Sequence, residues 1–477
     1  MTSRTPERLP GGRLASGSEP LDTVLGGGFP GHAINLVVGR PGSGKTILAQ
    51  QYVFHNATVQ RPAIYLTTVS EPLEKILRYG QTMAFFNASA VGRAVFYEDL
   101  GELLNAKGLD GILERIDQLV KQQRPGIIVI DSFKALQPYA GDQGEFRRFL
   151  HRLAGRLSAF PVTSLWIGEY DQAELSTAPE FAVADAIVQL SSERVGPREL
   201  RVLQVLKLRG SSFLSGRHVY RLSDAGIEVF PRLADPVDPS AYALPAQRIS
   251  SGIVAFDAML ADGYWPGAAT LVAGPSGAGK TLMGLHFVVS GARRGEPGII
   301  ATLQENPIQL ERVAQGFGWS LAENGVELLY RSPVDLLVDQ WVYELLAAIE
   351  RTGAQRILID SLGDLAFAAG DEVRSREYLY SLVQRCSRQG VSLLMTLELP
   401  DLFQVTRLSD LGISHVSDNV VLLQYLRRQA SVARTVTVLK TRASLHEPQI
   451  REFAITSEGF TLKDERGDER LGDPSPL

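Results

Sequence analysis

One eight-residue pattern occurs twice in this chain and constrains it more than any other feature. Gly39-Arg40-Pro41-Gly42-Ser43-Gly44-Lys45-Thr46 and Gly274-Pro275-Ser276-Gly277-Ala278-Gly279-Lys280-Thr281 both satisfy G-x-x-x-x-G-K-[ST], with their lysines 235 positions apart. Leu21-Asp22 precedes the first copy and Phe256-Asp257 the second, again 235 apart. An apolar run follows each copy and closes on Asp131-Ser132 or Asp360-Ser361. Periods of solenoid repeats are several-fold shorter, so these are duplicated domains.

The expected organisation is an N-terminal extension at 1–11, a first domain at 12–235, a linker at 236–247, a second domain at 248–463 and a charged, disordered tail at 464–477. Pro236, Pro239 and Pro245 remove backbone donors and favour an extended connection there. In the first domain, residues 33–38, 63–67, 126–130, 164–168 and 186–190 read as buried strands. Between two of them Phe146, Phe149, Leu150 and Leu153 fall at helical spacing, with Arg148, Arg152 and Arg156 on another face. That arginine stripe reads better as a solvated helix face than as a nucleic-acid surface. Strands alternating with helices predict a doubly wound, mostly parallel α/β sheet in each domain.

Composition narrows the function classes. No apolar run approaches the ~20 residues of a membrane span, and the first residues lack the apolar core of a signal peptide. Cys386 is the only cysteine, which forbids an intrachain disulfide and suits a reducing, cytoplasmic setting. The seven histidines show no metal-ligand spacing. A formal charge of -5 removes the easy case for a nucleic-acid surface.

The octapeptide spacing has a mechanical reason. Glycines let successive N–H groups turn inward around phosphate oxygens at a helix N-terminus, where the dipole favours negative charge. The expected cradle is Gly42, Ser43, Gly44, Lys45, Thr46 and Ile47 in the first domain. In the second it is Gly277, Ala278, Gly279, Lys280, Thr281 and Leu282. Lys45 and Lys280 would reach the β- and γ-phosphates of ATP, and Thr46 and Thr281 would ligate Mg²⁺. Asp131 and Asp360, each ending an apolar strand, would hold the magnesium-bound water network.

One strand–helix unit separates each P-loop from its aspartate, which is the RecA-like order. The glycine-rich segments 17–31 and 252–267, the run Lys207-Leu208-Arg209-Gly210-Ser211 and residues 418–425 make the chain similar to the KaiC family of tandem RecA-like ATPases. The resemblance covers both halves. It implies a hexamer with ATP between neighbouring subunits and, in some members, transfer of phosphate to their own serine and threonine. KaiC-like domains place adjacent glutamates after the second strand to orient or activate the nucleophile. The matching positions are Val69-Ser70 in the first domain and Gln304-Glu305 in the second. Glu71, before Pro72, reads as a helix-start residue. Hydrolysis is therefore expected mainly in the second domain, with Glu305, Lys45 and Lys280 as the catalytic set.

Lys207 and Arg209 match the family's basic pair, which reaches phosphates bound by the adjacent subunit. Lys440 and Arg442 hold those places in the second half, where Thr441 and Ala443 depart from the motif. The family's phosphorylated serine and threonine align with Ser414 and His415, so Ser414 alone is a possible phosphosite. The reading is an Mg-ATP-hydrolysing oligomer acting as a signalling switch or timer through protein partners. A serine/threonine autokinase, a RecA-like recombination, repair or helicase enzyme and a plain nucleotide-binding scaffold stand as alternatives. Likeness to a clock protein does not by itself assign a clock role.

Overall fold

The computed structural model describes residues 12–68, 73–171, 173–195, 198–233, 247–370, 372–401, 416–429, 431–442 and 444–463. The chain divides into two compact units, Met1–Arg232 and Leu233–Leu477. The expected linker at 236–247 lies, apart from Gln247, outside the described residues.

Among the described residues the first unit is built on a nine-stranded sheet. Its spatial order is Gly226–Phe230, His218–Ser223, Arg198–Leu208, Ala186–Val195, Ile34–Gly39, Thr163–Gly168, Ile127–Asp131, Ala63–Thr67 and Val95–Asp99. The six strands from Ala186–Val195 to Val95–Asp99 are parallel, and the other three add antiparallel. The second unit repeats this plan. From its antiparallel edge the order is Gly459–Leu462, Arg451–Thr456, Ser431–Thr441, Asn419–Arg428, Ala269–Gly274, Ser392–Glu398, Arg356–Asp360, Gly298–Thr302 and Val326–Tyr330. These are the two mostly parallel α/β sheets that the sequence predicts, except that two strands and not one lie between each P-loop and its aspartate, the second being the short sheet edge Val95–Asp99 or Val326–Tyr330.

Continuous apolar runs dictate the parallel core. Ile34–Gly39, Ala63–Thr67 and Ile127–Asp131 are buried at every position, as strands with helices on both faces must be. The expected strand at 186–190 continues to Val195, because its second half leaves the parallel body. There it pairs with Arg198–Leu208 in a long antiparallel ribbon, from Ala186 opposite Leu208 to Val195 opposite Arg198. The parallel portion is buried except at Gln189, whereas the ribbon's outer half has the mixed exposure of an edge.

The helix Gln143–Ser158 buries Phe146, Phe149, Leu150 and Leu153. Of the arginines on its other face, Arg152 pairs with Asp110 at 2.7 Å and Arg156 donates to the Leu113 carbonyl at 2.9 Å. Two of the three are thus engaged by the neighbouring helix Gly101–Gln123. No helix among the described residues is long and apolar enough to cross a membrane.

Beneath the first sheet, Phe133 stacks on Trp166 with ring centroids 4.1 Å apart and planes 2° from parallel, both rings fully buried. Trp166→Ala would leave a void facing the strand that ends in Asp131. It should destabilise the first unit by about 3–5 kcal/mol, read from denaturant unfolding. A loss below about 1 kcal/mol would show that this layer collapses and does not support the strand.

Candidate functional site

Each P-loop begins where a buried strand stops. In the first unit Ile34–Gly39 ends, five residues turn, and the helix Lys45–Asn56 starts. Gly44 is the N-cap with φ 91°, a left-handed conformation that a side chain resists. A Cβ on Gly44 would also lie 2.8 Å from Leu222 Cδ2, so that side chain would have to shift. Gly279 caps Lys280–Ala292 in the same way, with φ 105°. The two octapeptides have therefore folded into equivalent strand–turn–helix corners.

The ammonium groups have equivalent partners. Lys45 Nζ donates to the Arg40 carbonyl at 2.8 Å, and Lys280 Nζ to the Pro275 carbonyl at 2.8 Å. Each is buried and faces a carboxylate: Glu169 at 3.6 Å from Lys45, Glu398 at 3.8 Å from Lys280. Burial pushes both lysines below their ordinary pKa, while Glu169 and Asp131, or Glu398 and Asp360, pull the other way. A partly desolvated cation held at a loop of inward N–H groups is suited to a polyphosphate.

Threonine and aspartate meet in both units. Thr46 Oγ1 donates to Asp131 Oδ2 at 2.9 Å, and Thr281 Oγ1 to Asp360 Oδ2 at 2.7 Å. Asp131 also accepts from the Tyr65 hydroxyl at 2.7 Å, whereas Asp360 accepts from Thr396. The Ser43 hydroxyl is buried without a hydrogen-bond partner among the described residues. Gly42, Gly44, Lys45, Thr46 and Ile47 line a cavity of about 570 Å³ that Asp131 also reaches. In the second unit Gly277 has φ 72°, and Ala278 and Leu282 are buried in the loop and first helical turn.

Glu305 is half-buried just beyond the strand Gly298–Thr302. Burial raises its carboxyl pKa, and the charge of Asp360 adds to the rise. Its Oε2 is buried with no hydrogen-bond partner among the described residues. Such a carboxylate, close to the aspartate and poised above its ordinary range, can take a proton. Gln304 is exposed and donates to Asp364 at 3.1 Å. The corresponding Val69 and Ser70, with Glu71 and Pro72, lie outside the described residues, as do Ser414 and His415.

The basic pairs lie at the opposite edge. Lys207 Nζ donates to the Phe181 and Ala182 carbonyls at 2.9 and 3.3 Å, and Arg209 pairs with Asp185 at 3.4 Å. Lys440 Nζ donates to the Ser417 carbonyl at 2.8 Å, and Arg442 pairs with Asp418 at 3.6 Å. Burial lowers both lysine pKa values, and the adjacent arginine lowers them further. Leu208 is in register with Ala186, which in turn pairs with Asn35 at the start of the strand whose end, Gly39, opens the P-loop. That strand spans roughly 17 Å at ~3.3 Å per residue. The sheet thus holds Lys207 and Arg209 away from their own phosphate cradle.

Several residues at the sites escaped the sequence reading. Glu169 and Glu398 lie at the ends of equivalent strands 229 positions apart, the same offset as Asp131 and Asp360, so the repeat itself carried the signal. Arg201 donates to the Gly42 carbonyl at 2.8 Å and Tyr220 to the Ser43 carbonyl at 2.7 Å, clamping the loop from the antiparallel strands. Tyr425 donates to the Ser276 carbonyl at 3.3 Å in the second unit. Lys75 and Tyr79, one helical turn apart on Leu73–Gly80, line the first cavity.

The family model described as the KaiC ATPase matches residues 14–234 and 249–466. The chain belongs to the KaiC ATPase family. It is 28% identical over 475 residues to the circadian clock oscillator protein KaiC of Picosynechococcus sp., covering 96% of this chain and 91% of that one. The KaiC proteins of Synechococcus elongatus and Prochlorococcus marinus are each 28% identical as well. They cover 96% and 95% of this chain and 90% and 92% of their own. It is thus a nucleotide-binding P-loop ATPase of the KaiC family, with one such domain in each half.

The raised Glu305 carboxyl gives a pH test. A group with its folded pKa above the unfolded one stabilises the fold below the unfolded value and loses that contribution as pH rises through the folded one. At neutral pH an ionised Glu305 therefore costs stability in the unliganded protein. Glu305→Gln should raise the second unit's stability at pH 7 by no more than about 1 kcal/mol after solvent screening. The gap between variant and parent should close as pH falls toward the ordinary glutamate value, followed by thermal melts across that range. An equal gap at every pH would assign it to packing and not to charge.

Proposed function

We propose that this chain is an Mg-ATP-hydrolysing member of the KaiC family whose sites are completed by neighbouring subunits, with turnover mainly in the second domain, and that it acts as a nucleotide-driven switch. The observation that carries this reading is the separation of the two polar edges. Lys207 and Arg209, like Lys440 and Arg442, sit where the parallel strands begin, and the P-loops sit where they end. A cationic finger can serve phosphoryl transfer only if it reaches the phosphates. A second copy, placed edge to edge, brings the finger of one chain to the cradle of the next. Such a head-to-tail contact closes into a ring when its rotation divides the circle. The expected hexamer is one such closure.

The residues present fit a magnesium-bound triphosphate. Thr46 with Asp131, and Thr281 with Asp360, form the hydroxyl–carboxylate pairs that would hold Mg²⁺ and its waters. When bound, the ion would offset charge on the phosphate oxygens. Lys45 and Lys280 would leave their loop carbonyls for the phosphates. In the second domain Glu305 would orient the attacking water and accept its proton. In the first domain Val69 and Ser70 occupy the matching positions and offer no carboxylate. That domain would bind ATP and hold the assembly together, so nucleotide state would be read out as subunit contacts.

Complementation between variants tests subunit sharing. Lys280→Ala removes a cradle cation and Lys440→Ala a finger, and each alone should lower ATPase activity at least tenfold. Mixed and reassembled, the two populations should recover activity, because about a quarter of interfaces in a random mixture pair an intact cradle with an intact finger. Absence of recovery, with mixed oligomers confirmed by sedimentation, would place both cations in one subunit's site. Lys45→Ala should spare most turnover but weaken assembly. Full ATPase activity in Lys280→Ala with loss in Lys45→Ala would reverse the division between domains.

A further inference from the structure

The first unit contains a cavity of about 620 Å³ that is separate from the P-loop and lined by His32, Arg61, Lys121 and Arg124 over apolar Val120, Pro125 and Phe160. These residues lie just before the strands Ile34–Gly39, Ala63–Thr67, Ile127–Asp131 and Thr163–Gly168, at the sheet edge opposite the nucleotide cradle. The volume falls within the ~300–1,000 Å³ of ordinary small-molecule sites.

The duplication supplies an internal comparison. Position 32 corresponds to Gly267, since His32 N–H donates to Thr163 Oγ1 and Gly267 N–H to Ser392 Oγ in the same place. Arg61 corresponds to Glu296 at the P-loop offset. Arg124 and Gly353 both cap the helix before the aspartate strand, with φ 46° and 65°, so Lys121 corresponds to Glu350. Where the second unit has two glycines and two acids, the first has a histidine and three cations.

Two of these choices are conformationally costly. His32 with φ 53° and Arg124 with φ 46° are left-handed, at places where the second unit uses glycine. Gly126, in turn, lets Arg61 lie across the cavity wall, since a Cβ there would come within 3.2 Å of Arg61 Cβ and 3.4 Å of its Nε. In the second unit Arg356 is fully buried and pairs with Glu296 at 2.5 Å. In the first unit that pair is gone, with Ile127 at the strand start. Lys121 pairs with Asp117 at 2.6 Å, but Arg61 and Arg124 have no ion pair among the described residues.

A helix C-terminus attracts cations, which explains Lys121 or Arg124 singly. It explains neither Arg61 nor His32, and the equivalent helix end in the second unit has Glu350 three residues before its cap. Two guanidinium forks facing an apolar floor suit an anion that also has a flat apolar body. We infer that this cavity is a second ligand site, particular to the first domain, for an organic phosphate of mononucleotide size. It stands independently of the catalytic reading above.

The test uses the full chain with Lys45→Ala and Lys280→Ala, which disables both P-loops, and N-methylanthraniloyl-AMP as a fluorescent probe. The expected result is saturable binding of one probe per chain, competed by AMP and not by adenosine. Adding Arg61→Glu, Lys121→Glu and Arg124→Gly, the second unit's own residues, should weaken binding at least tenfold. Arg124→Gly alone should raise the melting temperature, because it relieves a left-handed side chain, while still weakening the probe. Arg61→Gln provides a milder variant should the triple one unfold. Absence of saturable binding to the folded background, affinity unchanged in the variants, or adenosine competing as well as AMP would overturn the proposal. So would self-association through this edge that the triple variant abolishes without any probe bound, which would assign the cations to a subunit contact.

Discussion

Six strands running in one direction give each domain its functional polarity. Backbone and side chains at the ends of those strands form the phosphate cradle, with Thr46 tied to Asp131 and Thr281 to Asp360. The strand starts carry Lys207 and Arg209, or Lys440 and Arg442, anchored through carbonyls and the strand-start aspartates. Asp185 and Asp418 also cap the first N–H groups of the central strands, at 3.0 and 2.9 Å. The same two aspartates therefore hold Arg209 and Arg442 and cap the sheet. A rigid, close-packed core keeps the edges apart, so no side-chain motion within one domain can bring these cations to its own P-loop.

Much of this was legible because it is local or periodic. The P-loop is contiguous, its glycines are dictated by left-handed turns, and the buried strands are continuous apolar runs. Asp131 and Asp360 were legible through spacing and duplication together. What escaped depends on topology. Arg201 and Tyr220 reach the first loop only because the ribbon folds back beside Ile34–Gly39, and nothing in their local sequence marks that contact. The cationic cavity gathers residues from 32 to 161, which are neighbours only once four parallel strands lie side by side. Glu169 and Glu398 stood within reach of the repeat offset, but a lone glutamate after an apolar run looks like an ordinary strand end.

The two halves share a backbone plan and have diverged in where they keep charge. The second domain places Glu305 beside Asp360, and partial burial, with like charge adding to it, raises its affinity for a proton. Its sheet start is neutralised internally by Arg356 and Glu296. The first domain has no glutamate at positions 69 and 70 and instead concentrates cations at the strand starts. The two copies thus concentrate charge in different places, the second beside its P-loop aspartate and the first at the opposite sheet edge. The residues that differ at these places lie at the ends of strands whose interiors are buried in both copies.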